Sequence, residues 1–510
     1  MTRLTRNTLL LAVLLSADKG LAILRQVVIA RQFSFTRELD AFNVANNIPD
    51  LLFALISGGA LALAFIPILT ELLTRQGRAA AWELFSRVAN LAFLCTAGLG
   101  LLVALLAEPL VTSEIGVAPG FSSVQQGVVI NLMRLNLVAT LIFSVSGLVM
   151  GGLQANQHFL LPALAPMLYN LGQIFGALVL SPAQPYVLAG IRLPAFGLGI
   201  YGLVYGVIIG ALLHLAIQIP GLVHFQFRWT PKIGLGQPDV RRVLKVLAPR
   251  LGVMFCIQLM FVIRDNLASR LAEGSVSALT YGWMIQQVPE TILGTALGIA
   301  LLPAISELVA LEEREKFRET IQKCVRILFG LTVPVAVVLG AGLQPLIKLV
   351  FGLDAAQSDL LITVTRGFLF GLAGHSILEV ATRSFYSQQD SLTPFKTALL
   401  TLVVYLGLGT LTFRWLGPLG IALSDSTAYT LQAVVLLVVL GRRMGAPLRI
   451  GNTLWRSLLG ALAAGGAVLI VFGLLDGKLA GSLVSLSSMV IGGLVFLPFT
   501  WQEVKGLFKL

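Results

Sequence analysis

Residues 88–107 read VANLAFLCTAGLGLLVALLA, twenty positions without one charge. Wound as an α-helix at ~1.5 Å per residue, such a run spans the ~30 Å hydrocarbon core of a bilayer. A membrane β-strand needs only ~10 residues and alternates in character, which this run does not. Comparable segments recur along the chain at 9–30, 41–72, 83–108, 126–152, 161–181, 196–221, 245–268, 277–305, 324–350, 360–385, 394–416, 418–440, 454–475 and 480–502. Hydrophobic residues make up 56% of the 510 and charged residues 12%, well below the charged share of a water-facing domain. The polar surface that would cover a soluble globule is missing. In lipid, backbone groups must be satisfied within the protein, which leaves helices. The sequence predicts an all-α polytopic membrane protein with about fourteen transmembrane helices. The second segment holds Pro49 and Pro67, which predicts a kink.

The start, with Arg3 and Arg6 before an apolar run, has the look of a secretory leader. That run carries Asp18, Lys19 and Arg25 and no small-residue cleavage site, so it is expected to remain as the first span. The net charge of +12 is spread over short loops, which argues against a nucleic-acid partner. Loop arginines and lysines alternate in density. Arg75 and Arg78, Arg241 and Arg242, Arg314 to Lys323, Arg442, Arg443 and Arg449, and Lys505 and Lys509 fall on one side, while 109–131 holds none. This asymmetry predicts that both termini and the 306–323 loop are cytoplasmic. Cys95, Cys256 and Cys324 show no paired spacing and the four histidines are scattered, so neither disulfides nor a zinc site is expected.

The chain repeats itself. ILRQVVIAR around Arg25 matches VIRDNLASR around Arg264, NIPDLL at 47–52 matches QVPETI at 287–292, FIPILTEL at 65–72 matches LLPAISEL at 301–308, and ANQHFLLP at 155–162 matches SQQDSLTP at 387–394. The order is conserved between the copies and the offset drifts slowly. Two six-helix lobes related by a pseudo-twofold follow: an N-lobe at 1–221, a cytoplasmic linker at 222–244 and a C-lobe at 245–440, with a two-helix appendage at 441–510. Such paired lobes suit alternating access to a path between them.

Charges inside spans cost ~2.5–3.5 kcal/mol each on insertion scales, so each needs a reason. Asp18 and Arg25 lie seven apart on one stripe of the first span, with Lys19 beside them. They read either as a structural pair or as a cationic lining, and the repeat, which makes Arg264 the counterpart of Arg25, favours a lining that binds phosphate through planar guanidinium forks. Asp265 either neutralises Arg264 or couples transport to a cation. Asp425, in IALSDSTAYTL, is a second coupling candidate and Asp18 a third; Na⁺ near Asp265 or Asp425, or a proton, would relieve the buried charge. Asp40 reads as a helix N-cap or a cavity residue. Glu290, Glu379, Arg134, Arg366 and Arg383 are expected near span ends or inside loops, serving orientation and packing. The chain has no GxxxxGK[ST] loop and no room for a nucleotide-binding domain, so no enzymatic reaction is expected, and an ion gradient or the membrane potential must drive any uphill movement.

Across nearly its whole length the sequence resembles the MurJ (MviN) family of lipid II flippases, in the multidrug/oligosaccharidyl-lipid/polysaccharide exporter superfamily. The likeness rests on ILRQVVIARQF, ELDAFNVANNIPDLL, AFIPILTELL, LQANQHFLLPALAPMLYNLGQI, LAEGSVSALTYG, LGTALGIALLPAISE and FYSQQDSLTP, in order. It implies two lobes around a cationic cavity and carriage of an undecaprenyl-diphosphate-linked peptidoglycan precursor across the bacterial inner membrane. It also implies cavity roles for Arg25 and Lys19 and an acidic position at Asp40. No cofactor beyond a coupling Na⁺ or H⁺ is implied. The expected partners are a lipid-linked anionic substrate, membrane lipids and cell-wall synthesis proteins, with the chain a monomer. Where the family often has two arginines this chain has Phe53 and Ala54; Gly58 replaces an acidic residue, and Trp283 and Met284 replace an Asp-Arg pair. The cavity is therefore less basic than the resemblance alone implies. Alternative functions are a cation-coupled exporter of another lipid-linked saccharide or amphipathic drug, and a non-transporting scaffold.

Overall fold

A computed structural model of the chain describes residues 3–56, 59–188, 190–447, 451–475 and 477–507. Gly58, Arg449 and Lys509 lie outside the described residues. The chain divides into two compact units, 1–270 and 271–510.

Unit 1 holds α1 (Arg3–Phe33), α2 (Arg37–Ile56), α3 (Gly59–Arg75), α4 (Arg78–Leu105), the short α5 (Ala107–Thr112), α6 (Ser123–Ala155), α7 (Leu160–Phe175) with a one-turn π-helix at Gly176–Leu180, α8 (Ile200–Ala216), α9 (Ile219–His224) and α10 (Pro238–Ala268). A two-residue hairpin, β1 (Val187–Leu188) with β2 (Ile191–Arg192), decorates the connection before α8. Unit 2 holds α11 (Ser275–Glu290), a π-turn at Thr291–Thr295, α12 (Ala296–Ala310), α13 (Arg314–Gly342), α14 (Gln344–Phe351), α15 (Ala355–Phe370), α16 (Leu372–Ser387), α17 (Leu392–Arg443), α18 (Thr453–Leu475), α19 (Gly481–Phe496) and α20 (Trp501–Leu507). Among the described residues nine helices are long and apolar enough to cross a bilayer, and the bent pairs 355–387 and 481–507 qualify as further spans. Taking α17 as two, and adding α1 and the α2–α3 pair, accounts for every expected segment.

The expected second segment comprises two helices, α2 and α3, with Pro49 and Pro67 inside them, and residues 57–58 between them lie outside the described residues. The break in α17 is at Gly417, whose φ of 58° and ψ of −140° separate the expected spans 394–416 and 418–440. Unit 1 extends past the linker because α10 packs on α2 and α3. Val240, Val243 and Leu247 of α10 are buried in one core with Leu69, Trp82 and Phe85. The appended α18 and α19 rest on α13, where Ala464 and Val468 bury against Leu331 and Val338. Exposed leucines such as Leu101, Leu102 and Leu105 on α4 are what a lipid-facing surface requires.

The repeat extends to backbone detail. Gln157 and Gln389, at matched positions, both take a left-handed φ of 60°. His158 N donates to Leu153 O and Asp390 N to Phe385 O, the same six-residue closure of a helix C-terminus in each copy. Gly199 (φ 54°, ψ −137°) opens α8 with nearly the conformation of Gly417. Three residues on, a Cβ at Gly202 would strike the backbone of Leu180 and Ser181, and one at Gly420 that of Thr412, each 2.6 Å away. Arg134 Nε donates to Ala104 O, and Arg366 Nε to Gly340 O, again in parallel.

Candidate functional site

Within unit 1 a cavity of about 400 Å³ opens among α2, α6, α7 and α8. Helical spacing aligns its walls. Asn46, Asp50 and Phe53 form one face of α2, and Asn136, Thr140 and Phe143 one face of α6. Tyr169 of α7 and His214 of α8 complete the polar lining. Asn136 Nδ2 donates to Asn46 Oδ1 over 2.8 Å. Phe143 makes edge contacts with Phe53, Tyr169 and His214. Phe53, standing where the resemblance led to an arginine, is thus part of an aromatic wall. Behind it, Ser146 Oγ and His214 Nδ1 are 2.6 Å apart, and Gln218 Nε2 donates to Ser146 Oγ and to His214 O.

Asn170 of α7, next in sequence to the cavity-lining Tyr169, joins two expected site residues. Its Oδ1 accepts from Arg25 Nη1 and its Nδ2 donates to Asp18 Oδ1, each over 2.9 Å. Arg25 also lies 6.0 Å from the Tyr169 ring and within electrostatic reach of Asp50. Its Nε is buried and unpartnered. Lys19 is exposed, with its charge felt by Asp18. Asp18 and Arg25 are therefore held by one amide of another helix, a relation their spacing could not reveal. Asp50, Tyr169 and Asn170 were missed; the available signal was an unusual density of amides and acid in apolar spans, in NVANNIPD and YNLGQ.

Arg264 is placed differently. Its Nε donates to Asp265 Oδ1 over 2.9 Å, both side chains are nearly fully buried, and Asn47 Nδ2 donates to the other Asp265 oxygen. Arg264 also lies 5.0 Å from the Phe261 ring. Asp40 is 2% exposed and sits inside the first turn of α2, which begins at Arg37, so it acts on the helix dipole from within the turn and is not the cap.

In unit 2, His375 Nε2 lies 3.2 Å from Asp425 Oδ2 and Tyr429 stacks on the imidazole at 4.3 Å. The hydroxyls next to Asp425 bond elsewhere: Ser424 to Gly420 O, Ser426 to Gly367 O and Thr427 to Leu423 O. The expectation that Glu290 lies near a span end or inside a loop is corrected. The π-turn carries the eighth span on past Glu290, so 275–310 is one apolar unit with the carboxylate near its middle. Glu379 pairs with Arg383 four residues on.

The loop in FYSQQDSLTP has its own architecture. Asp390 accepts from the backbone of Leu392 and Thr393 and from Thr393 Oγ1, capping α17, and pairs with Arg443 Nη1 at 2.8 Å. Partial burial opposes ionisation, but the bonds from Thr393 and Arg443 outweigh it and hold the carboxyl at about 2. In the matching position of unit 1, burial and the neighbouring His224 hold the His158 imidazole below its usual value.

The chain matches the family described as Lipid II flippase MurJ over residues 29–488. It is 30% identical over 441 residues to the lipid II flippase MurJ of Burkholderia cenocepacia, covering 84% of this chain and 82% of that one. It is 26% identical to a probable lipid II flippase MurJ of Rhizobium tropici, over 94% of this chain and 86% of that one. Among solved structures, "Lipid II flippase MurJ, inward closed conformation" superposes with a TM-score of 0.79 at 21% identity, over 98% of this chain and all of that one. An inward-facing multidrug resistance MATE family transporter of the MOP superfamily superposes at 0.68 with 15% identity, over 84% and 94%.

Proposed function

We propose the following from one premise: the chain belongs to the lipid II flippase MurJ family. It is a multi-pass protein of the bacterial inner membrane that moves lipid II, the polyprenyl-diphosphate-linked peptidoglycan precursor, to the outer leaflet by alternating access between two lobes. The reading is carried by the family match over 29–488. Arg25 supplies the chemistry that suits the cargo: a guanidinium anchored at one nitrogen by Asn170, with a buried, unpartnered Nε, offers charge-assisted donors to a diphosphate. Lys19 adds positive charge beside Asp18, and Asp50 is the counter-ion that an incoming diphosphate displaces. Arg264 is engaged by Asp265, so its part is to shape the site, and Asp40 supports the start of α2.

The movement is coupled to an ion gradient or the membrane potential, each charge moved across the full field being worth ~2.3 kcal/mol per 100 mV. Asp425, with His375 beside it, is the first coupling candidate for H⁺ or Na⁺, ahead of Asp265 and Asp18. Both termini and the 306–323 loop face the cytoplasm, the protein works as a monomer, and cell-wall synthesis proteins act on the delivered cargo. Depletion of the host flippase tests the function. The gene should rescue growth and prevent build-up of inward-facing lipid II; absence of both effects would sink the reading. Labelling of a cysteine placed at residue 314 from outside intact cells would overturn the orientation.

A further inference from the structure

Around the π-turn of the second unit three carboxylates, Glu290, Glu379 and Asp425, share one arginine, Arg383, and one histidine, His375. Glu290 ends α11, and the π-turn after it packs on α16. Glu379, His375 and Arg383, all on α16, lie within electrostatic reach of Glu290. Arg383 is committed: Nη1 pairs with the Glu379 carboxylate and donates to Glu379 O, and its guanidinium fills the space where a Gly298 Cβ would stand. His375 is committed to Asp425, which α17 presents to it. The charged residues of α13 run from Arg314 to Arg326, toward one end of that helix. On α15, Arg366 donates to Gly340 O and Asp359 accepts from Gln344. Among the described residues the Glu290 carboxylate has one hydrogen bond, from the Thr295 hydroxyl, which donates to its Oε1 over 3.1 Å.

A second observation concerns what surrounds that carboxylate. The Ser376 hydroxyl is fully buried and has no hydrogen-bond partner. Ser376 Cβ and Glu290 Oε1 lie 2.9 and 3.1 Å from the point a Gly294 Cβ would occupy, so serine and acid both flank Gly294. Gln286, one turn before Glu290 and 1% exposed, has an unpartnered Nε2. A carboxylate inside a span, with its neighbouring cation already spent, carries a desolvation cost that protonation removes.

We propose that Glu290 is a proton-binding site within the second unit, taking up one proton when its carboxylate, beside Thr295, is shielded from water and releasing it when water returns. The site is separate from the Asp425–His375 pair and binds its proton without cargo; only the statement that the bound proton biases transport rests on the flippase reading.

Infrared titration of the reconstituted full chain, without lipid II, tests this. The wild type should show a protonated-carboxyl band that vanishes as pH rises, and Glu290→Gln should remove that component while Asp425→Asn leaves it. Thr295→Val deletes a hydrogen bond to the charged form, so the midpoint should move to higher pH. In proteoliposomes, Glu290→Gln should transport with no response to an imposed pH gradient. An unchanged band in Glu290→Gln, or an unmoved midpoint in Thr295→Val, overturns the proposal. The predicted titration in a protein that moves no lipid II would support the proton site and refute the flippase reading.

Discussion

Arg25 and Asn170 are joined across two helices: Arg25 Nη1 donates to Asn170 Oδ1 over 2.9 Å, while the other end of the same amide holds Asp18. The amide fixes where the guanidinium points, and a hydrogen bond to a charged group contributes ~1.5–3 kcal/mol. Asn170→Leu should leave the protein inserted and reduce lipid II transport roughly tenfold or more, the kinetic equivalent of ~1.4 kcal/mol. Asn170→Asp should do worse than a neutral isostere on one count, because it repels Asp18. Transport rates at matched expression check both, and wild-type rates in Asn170→Leu would remove Asn170 from the site.

Asp390 and Arg443 tie the start of α17 to its end. The folded carboxyl, held at about 2, is more acidic than in an unfolded chain, so its contribution is complete above the ordinary value of ~3.9 and is lost as pH falls through about 2. After solvent screening this is worth about 1–2 kcal/mol. Asp390→Asn should therefore lower the melting temperature at pH 7, and the gap from wild type should close between about pH 4 and pH 2. A gap that persists unchanged at low pH would contradict the ion pair.

Gly206 and Gly176 bring α8 against the π-turn after α7. A Cβ on either would lie 2.7 Å from the other's Cα, a clash with backbone that no rotamer relieves. Gly206→Ala should destabilise unit 1 by about 1–3 kcal/mol, as overpacking does. Thermal unfolding in detergent measures it, and an unchanged midpoint would mean that the two helices are not so closely packed.

Asp425→Asn separates coupling from packing. The amide preserves shape beside His375 but cannot take the charge of a carboxylate. Expression should be normal, and transport should lose its dependence on the gradient of the coupling ion. Full gradient dependence would return Asp425 to packing and leave the coupling to Glu290, Asp265 or Asp18.

The membrane class, the spans and the repeat were legible because apolar run length and recurring order are properties of the linear sequence. Partnerships across helices were not. Arg25 could be singled out as costly, but Asn170 lies 145 residues away and no periodicity links them. His375 is separated from Asp425 by 50 residues, so Asp425 looked unpartnered. The parallel of Gly199 with Gly417 escaped because conformation, not residue pattern, carries it: φ near +55° is open to glycine at little cost and marks where a helix begins. Phe53 was read as a lost arginine, and only the packing of Phe143 and Tyr169 shows that an aromatic wall stands there.

The central claim is that Arg25 binds the diphosphate of a lipid-linked cargo. Mass spectrometry of lipids that co-purify with the protein, wild type beside Arg25→Ala, tests it most directly. The account predicts lipid II on the wild type and a loss of at least tenfold in Arg25→Ala, with bulk phospholipid unchanged; tenfold corresponds to ~1.4 kcal/mol, less than one charged hydrogen bond can supply. Equal lipid II on both proteins, or none on the wild type, would contradict it.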